Sequence, residues 1–238
     1  MGFEPAISLT EQIADHLSNE IIRGRLKPRA RIQELKVAGE LGVSRGSVRE
    51  ALLILEKRHL IRIIPRRGAV VSAMEGQEIA NFCELYTELQ VLFFRKLAAL
   101  PGQHLERLEP ALNEMNAALS QPDVTRLLAA RAQFLAASLT QLDNFYLNSV
   151  LEGLVPAGMR VAHLVAAHEN FEPRDTLRYH QALTAALAER AGDRAGELVR
   201  AFHGREKRLA LGCIDGGGES PRGAPRGHPL SGKSHTPA

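Results

Sequence analysis

The sequence predicts a mainly α protein in two parts: an N-terminal winged helix-turn-helix with a small β-hairpin wing, then a C-terminal antiparallel all-α bundle. Three observations lead there. Apolar residues recur at helical spacing along most of the chain. Near Gly42 a tight turn separates two short helical patterns, and two β-branched runs around Pro65 and Gly68 follow them. Basic charge is concentrated at one end. All 13 Lys and Arg of residues 1–72 lie between Arg23 and Arg67, opposed there only by Glu34, Glu40, Glu50 and Glu56. Such an excess suits a surface that meets nucleic acid phosphates, although a solvated charged face would also produce it.

The elements follow in order. Leu9, Ile13, Leu17 and Ile21 form the stripe of a first helix, ended by Gly24 and Pro28. A second helix runs from about Glu34 to Leu41 and stops at Gly42. Ser44 stands where an N-cap should be, and Val48, Ala51, Leu52 and Leu55 form the apolar stripe of a third helix. The runs 61–64 and 69–72 then form the hairpin. From about Glu75 the pattern is helical throughout. One stripe is Ile79, Phe82, Tyr86, Leu89, Phe93 and Leu97. Further helices fit 103–120, 124–141, 144–155, 157–168, 174–191 and 194–211, with breaks near Pro122, Pro156, Pro173 and Gly192. The expected domains are therefore 1–72 and 73–213. Residues 214–238, with six Gly and four Pro and no apolar period, are expected to be a disordered tail.

Composition narrows the function. The chain has 238 residues, 45 % hydrophobic and 24 % charged, which suits two modest globular domains. It contains no run of 18 apolar residues and no basic, then apolar, leader, so neither a membrane span nor secretion is expected. Two cysteines, Cys83 and Cys213, support neither a disulfide framework nor a cysteine metal site, which points to a reducing, cytoplasmic setting.

The stretch from Gly39 to Ile61, GELGVSRGSVREALLILEKRHLI, resembles the winged helix-turn-helix of the GntR family of bacterial transcription regulators. Gly24, Leu26 and Pro28 ahead of it, and the RRGAVV run at 66–71, add to the likeness. The helical remainder resembles the FadR-type C-terminal domain, often called FCD. The resemblance implies a homodimer that binds a double-stranded DNA operator. Apart from the family, Arg45 and Arg49 are one turn apart on the face opposite Leu52 and Leu55, where guanidinium forks reach guanine edges or phosphates. Ser44, Gly46 and Ser47 are small, so the helix start can approach the DNA backbone. Arg66, Arg67 and Gly68 put charge at a thin wing tip. Where the family carries a basic residue this chain has Leu35, with Lys36 next to it as a possible substitute.

Domains of the FCD type usually bind a small carboxylate, often over a metal held by an Asp and three His. The resemblance places Arg131 where the Asp would be, Leu135 for one His, His180 for the second and Phe202 for the third. His203 is one place off, a turn of about 100° that should carry it away from the bundle interior. An acid–Arg pair of the first bundle helix is replaced by Leu89 and Phe93. The metal is therefore expected to be lost, leaving no cofactor. Arg131 lies on the stripe of Leu128 and Leu135, where a guanidinium needs an anion or an escape to the surface. It serves either as a carboxylate clamp beside His180 or as the partner of a structural acid. His180, on the side of Leu177, Leu183 and Leu187, is either a hydrogen-bonded core residue or part of that pocket. His163, His168, Ser138 and Tyr179 show no base-and-nucleophile spacing, so no enzyme is expected. A helical domain that only dimerises is the alternative to one that senses an organic acid.

Overall fold

The computed structural model describes residues 8–101, 105–121 and 123–215. Helix α1 (Leu9–Ile22) starts with a capping box: Ser8 Oγ accepts from the Glu11 amide and the Glu11 carboxylate accepts from the Ser8 amide. A two-residue strand β1 (Arg31–Ile32) leads into α2 (Glu34–Leu41), which ends on Gly42 at φ 66°, a conformation that favours glycine. Ser44 then caps α3 (Arg45–Lys57), its Oγ accepting from the Ser47 amide at 3.0 Å. Strands β2 (Ile61–Ile64) and β3 (Gly68–Val71) form the wing, and the sheet order is β1-β3-β2, antiparallel throughout. Arg66, at φ 63°, occupies the third position of the wing turn; the Arg67 amide donates to the Ile64 carbonyl.

One core joins Ile13, Leu17 and Ile21 of α1 to Val48, Leu52 and Leu55 of α3 and to Ile61 and Val71 of the wing. The four residues of α3 expected as its apolar stripe, Val48, Ala51, Leu52 and Leu55, are all buried. Strand β1 gave no sequence signal because two residues cannot show a period of two.

The second part consists of α4 (Gly76–Ala99), a 3-10 turn (Leu105–Arg107), α5 (Glu109–Ser120), α6 (Val124–Leu139), α7 (Phe145–Ala166), α8 (Pro173–Ala188) and α9 (Gly192–Asp215). Its main core gathers Phe93, Phe94 and Leu97 of α4, Met115 of α5, Phe134 of α6, Leu151 of α7, Leu183 of α8 and Val199 of α9. The expectation of a break at Pro156 is corrected: α7 runs through it. Proline removes one donor, but the carbonyl left without it belongs to Glu152, an exposed residue that water can satisfy. Meanwhile Leu147, Leu151, Leu154, Val161 and Val165 hold one face of the helix inside. The helix expected over 103–120 begins only at Glu109, with Pro110 in its first turn, and residues 103 and 104 lie outside the described residues. Ile214 and Asp215, expected in the tail, continue α9; the rest of that tail lies outside the described residues. No described helix is long and apolar enough to cross a membrane, and both cysteines are free thiols.

Candidate nucleic-acid interface and bundle cavity

The N-terminal part presents its basic residues as the spacing implied. Arg45 and Arg49 leave the outer face of α3 with side chains 60 % and 63 % exposed. Both converge on one acid that sequence reasoning did not single out. Glu34, at the start of α2, accepts from Arg49 Nε at 3.3 Å and Nη2 at 2.9 Å, and Arg45 Nη2 stands 3.6 Å away. The Arg49 hydrogen bonds hold the Glu34 carboxyl below the usual carboxylate range. These pairs are exposed and weak, so they aim the guanidinium forks without locking them. Glu34, Arg45, Arg49, Arg31 and Gly68 line one shallow groove of about 460 Å³ between α2, α3 and the wing. Ser44 and Ser47 are tied by an Oγ–Oγ hydrogen bond of 2.9 Å, and Gly46 beside them is exposed. Arg66, Arg67 and Gly68 are exposed at the wing tip. Lys36 is exposed too, 3.7 Å from Glu40 one turn on, while Leu35 is bare to solvent at 71 %.

Arg131 and His180 come together in the bundle, around a cavity of about 30 Å³ that Tyr86, Gln90, Tyr179 and His203 also line. The Arg131 side chain is only 13 % exposed and makes a two-pronged salt bridge to Glu206 of α9, with Nη2 to Oε2 at 2.7 Å. Its guanidinium carbon lies 5.1 Å over the Phe202 ring. Burial alone would lower the pKa of this guanidinium; the Glu206 charge and hydrogen bonds outweigh it and raise it. His180 is 4 % exposed, with Nδ1 2.7 Å from the Thr176 carbonyl, so that nitrogen carries the proton and Nε2 is left as an acceptor.

His203 requires a correction. It does not turn away from the interior: it is 5 % exposed, stacked on Tyr86 at 5.6 Å, with Nδ1 3.4 Å from Thr87 Oγ1. Helix α9 is covered by α4, α7 and α8 on different sides, so a 100° step leads from one buried face to another. Burial holds both imidazoles down to about 3, hence neutral in any ordinary buffer. From α4 the cavity takes Gln90 and Phe94, each one place on from Leu89 and Phe93.

The donor set does not fit a divalent metal. A guanidinium already salted to Glu206 stands in the acid's place, Leu135 and Phe202 offer no lone pair, and a cation would face Arg131 across the cavity. Among the described residues no three His, Cys, Asp or Glu are grouped to hold a metal ion.

A capped recognition helix beside a charged wing, followed by an all-α domain, defines a winged helix-turn-helix DNA-binding protein of the regulator class. Comparison with known proteins gives the family. The model for bacterial regulatory proteins of the gntR family matches residues 9–71, and the FCD domain model matches residues 81–203. The chain belongs to the GntR family, in the branch with an FCD domain. It is 27 % identical over 192 residues to the HTH-type transcriptional regulator McbR of Escherichia coli K12, covering 80 % of this chain and 86 % of that one. It is 27 % identical over 146 residues to the gluconate operon transcriptional repressor of Bacillus subtilis 168, covering 61 % and 60 %. Among solved structures, E. coli McbR/YncC superposes with a TM-score of 0.73 at 22 % identity, over 88 % of this chain and all of that one. A GntR regulator from Rhodococcus sp. RHA1 gives 0.70 at 23 %, over 85 % and 97 %. These structures confirm the fold. The protein is a DNA-binding transcriptional regulator and not an enzyme.

Proposed function

We propose that this protein is a cytoplasmic, homodimeric repressor that reads a two-fold operator through α3 and releases it in response to a small organic acid. The single observation that carries the DNA reading is the pair Arg45 and Arg49, aimed from one face of a capped helix by Glu34. A two-fold dimer calls for half-sites one helical turn apart. Dimerisation through 73–213 is supported by large apolar side chains left outside the bundle: Leu92 on α4, and Phe145 and Tyr146 at 76 % and 82 % exposure on α7. In this reading Lys36, Ser44, Gly46, Ser47, Arg66, Arg67 and Gly68 hold phosphates or a groove, and Arg45 and Arg49 read bases.

The effector would enter the bundle cavity without a metal, its carboxylate taking the place of Glu206 on Arg131, with His180 alongside. A specific observation favours the second reading, a purely dimerising domain: Arg131 already has its carboxylate, and the cavity of about 30 Å³ holds little more than a water. Operator titration at fixed salt tests both. Arg49→Ala should cost about 1–3 kcal/mol and relax one operator position. Unchanged affinity in the Arg45→Ala, Arg49→Ala double variant would refute the interface. Gluconate, citrate, fumarate and benzoate are then added to wild type and to Arg131→Leu. Release by one of these acids that Arg131→Leu abolishes supports the cavity as sensor, and release that survives the substitution refutes it.

A further inference from the structure

A second hollow lies outside the bundle. A cleft of about 640 Å³ lies between the two parts, walled by Lys57, Ile61 and Arg62 of the N-terminal domain and by Glu78, Phe82 and Arg160 of α4 and α7. Its size falls within the ~300–1,000 Å³ usual for small-molecule sites. Arg160 is 6 % exposed, yet among the described residues its guanidinium has no hydrogen-bond or ion-pair partner. A withdrawn cation without a partner is costly, and proteins seldom keep one. Nor is it sealed in packed core. Among the described residues the one fully enclosed side-chain polar atom without a partner is Asn148 Oδ1, so the Arg160 nitrogens meet open space, and the cleft is the space its residue lines.

Glu78 is the single acid among the residues that line the cleft, and it is engaged elsewhere: Arg62 donates to its Oε1 at 2.7 Å. Burial lowers the Arg160 pKa to about 10, only partly offset by Glu78, so it remains charged at neutral pH. With Lys57, Arg62 and Arg160 against the single acid Glu78, the cleft is positive. Ile79, Phe82, Leu154 and Ala157 give it an apolar stretch of wall, and the polar residues His59, Ser72, Asn81 and Ser149 line the rest.

We propose that this cleft binds a small amphipathic carboxylate, its anionic end on Arg160 and its apolar body against Phe82 and Leu154, touching both domains at once. The site is separate from the bundle cavity and does not depend on the reading of Arg131. Nothing in it requires the operator, so it stands or falls independently of the DNA interface.

Calorimetry on the full chain tests it with three probes: 3-phenylpropionate, the neutral isostere 3-phenylpropan-1-ol, and acetate. Saturable binding of 3-phenylpropionate at one site per chain is expected, with the alcohol and acetate at least tenfold weaker. Arg160→Met should weaken 3-phenylpropionate at least tenfold. Ala157→Phe, at another residue that lines the cleft, keeps the cation but fills the apolar wall and should do the same. Arg160→Met removes an unpaired charge rather than a partner, so folding should survive, as circular dichroism will show. The proposal is overturned if 3-phenylpropionate does not bind wild type, if the alcohol binds as tightly, or if Arg160→Met binds as wild type does.

Discussion

Arg131 and Arg160 both stand on bundle helices and are both withdrawn from water, yet their surroundings differ. Arg131 of α6 reaches α9 and meets Glu206, whose side chain is equally withdrawn at 12 % exposure, so desolvation of two charges is offset by two charge-assisted hydrogen bonds. Arg160 of α7 has no such acid among the described residues, and the single acid of its cleft, Glu78, is already held by Arg62. The difference teaches where a ligand has room to act. An anion at the bundle cavity must evict a carboxylate of the protein, and an anion at the cleft fills a vacant valence. Salt bridge and binding site are built from the same residue type, and what separates them is whether the fold supplies the acid.

The largest expected effect breaks the pair at one end. Glu206→Gln strands the Arg131 guanidinium without an anion, and removing one partner of a buried pair costs about 3–5 kcal/mol. Arg160→Met should cost nothing or stabilise, since there is no partner to strand. Urea denaturation of the two variants reads the contrast directly. Equal losses would mean that Arg160 has an anion of the protein after all, and that the contrast is empty.

A smaller effect comes from the histidines that flank Arg131. Burial depresses His180 and His203 from an ordinary 6.5 to about 3, and the positive Arg131 adds to it for both. Between those values the unfolded chain binds protons that the folded chain refuses. Stability is therefore full above about pH 6.5 and falls as the pH drops towards 3. For two such groups the loss between pH 7 and 5.5 is roughly 2–3 kcal/mol. Denaturation midpoints of wild type and His203→Phe should diverge over that window, the variant losing about half as much. Parallel curves would show that the ring is not buried neutral.

How much of this was legible in the sequence depends on how local the cause is. Ser44, Gly42 and the stripe Val48, Leu52 and Leu55 act within a few residues, so the cap, turn and core of the N-terminal part follow from spacing alone. Arg131 could be read as needing an anion because it interrupts an apolar stripe. Glu206 could not be found, since it is 75 residues away and nothing local marks it. Arg160 failed for the opposite reason: the expected break at Pro156 ended one helix and began another just before it, which hid the face it shares with Gly153 and Ala157. His203 was misplaced because a helix covered on several sides has no single interior direction. Glu34, the acid that aims two arginines, looked like an ordinary helix-start residue.

Glu34 supplies the third arrangement of arginine and acid, and the smallest expected effect. Here the pair is exposed, its guanidinium groups 60 % and 63 % open to water, so solvent screens most of the attraction. Glu34→Gln should change unfolding stability by less than about 1 kcal/mol, in contrast with Glu206→Gln. Its consequence belongs to DNA instead. The carboxylate lines the same groove as Arg45 and Arg49 and would oppose phosphates docked there, so its removal should tighten binding to unrelated sequences and steepen the salt dependence by about one counterion. At the same time Arg45 and Arg49 lose the group that aims their forks, so the ratio of operator to unrelated affinity should fall. Titrations of operator and scrambled duplex across 50–200 mM salt separate the two effects. A Glu34→Gln variant with an unchanged ratio would show that the acid is merely a neighbour of the recognition face and does not position it.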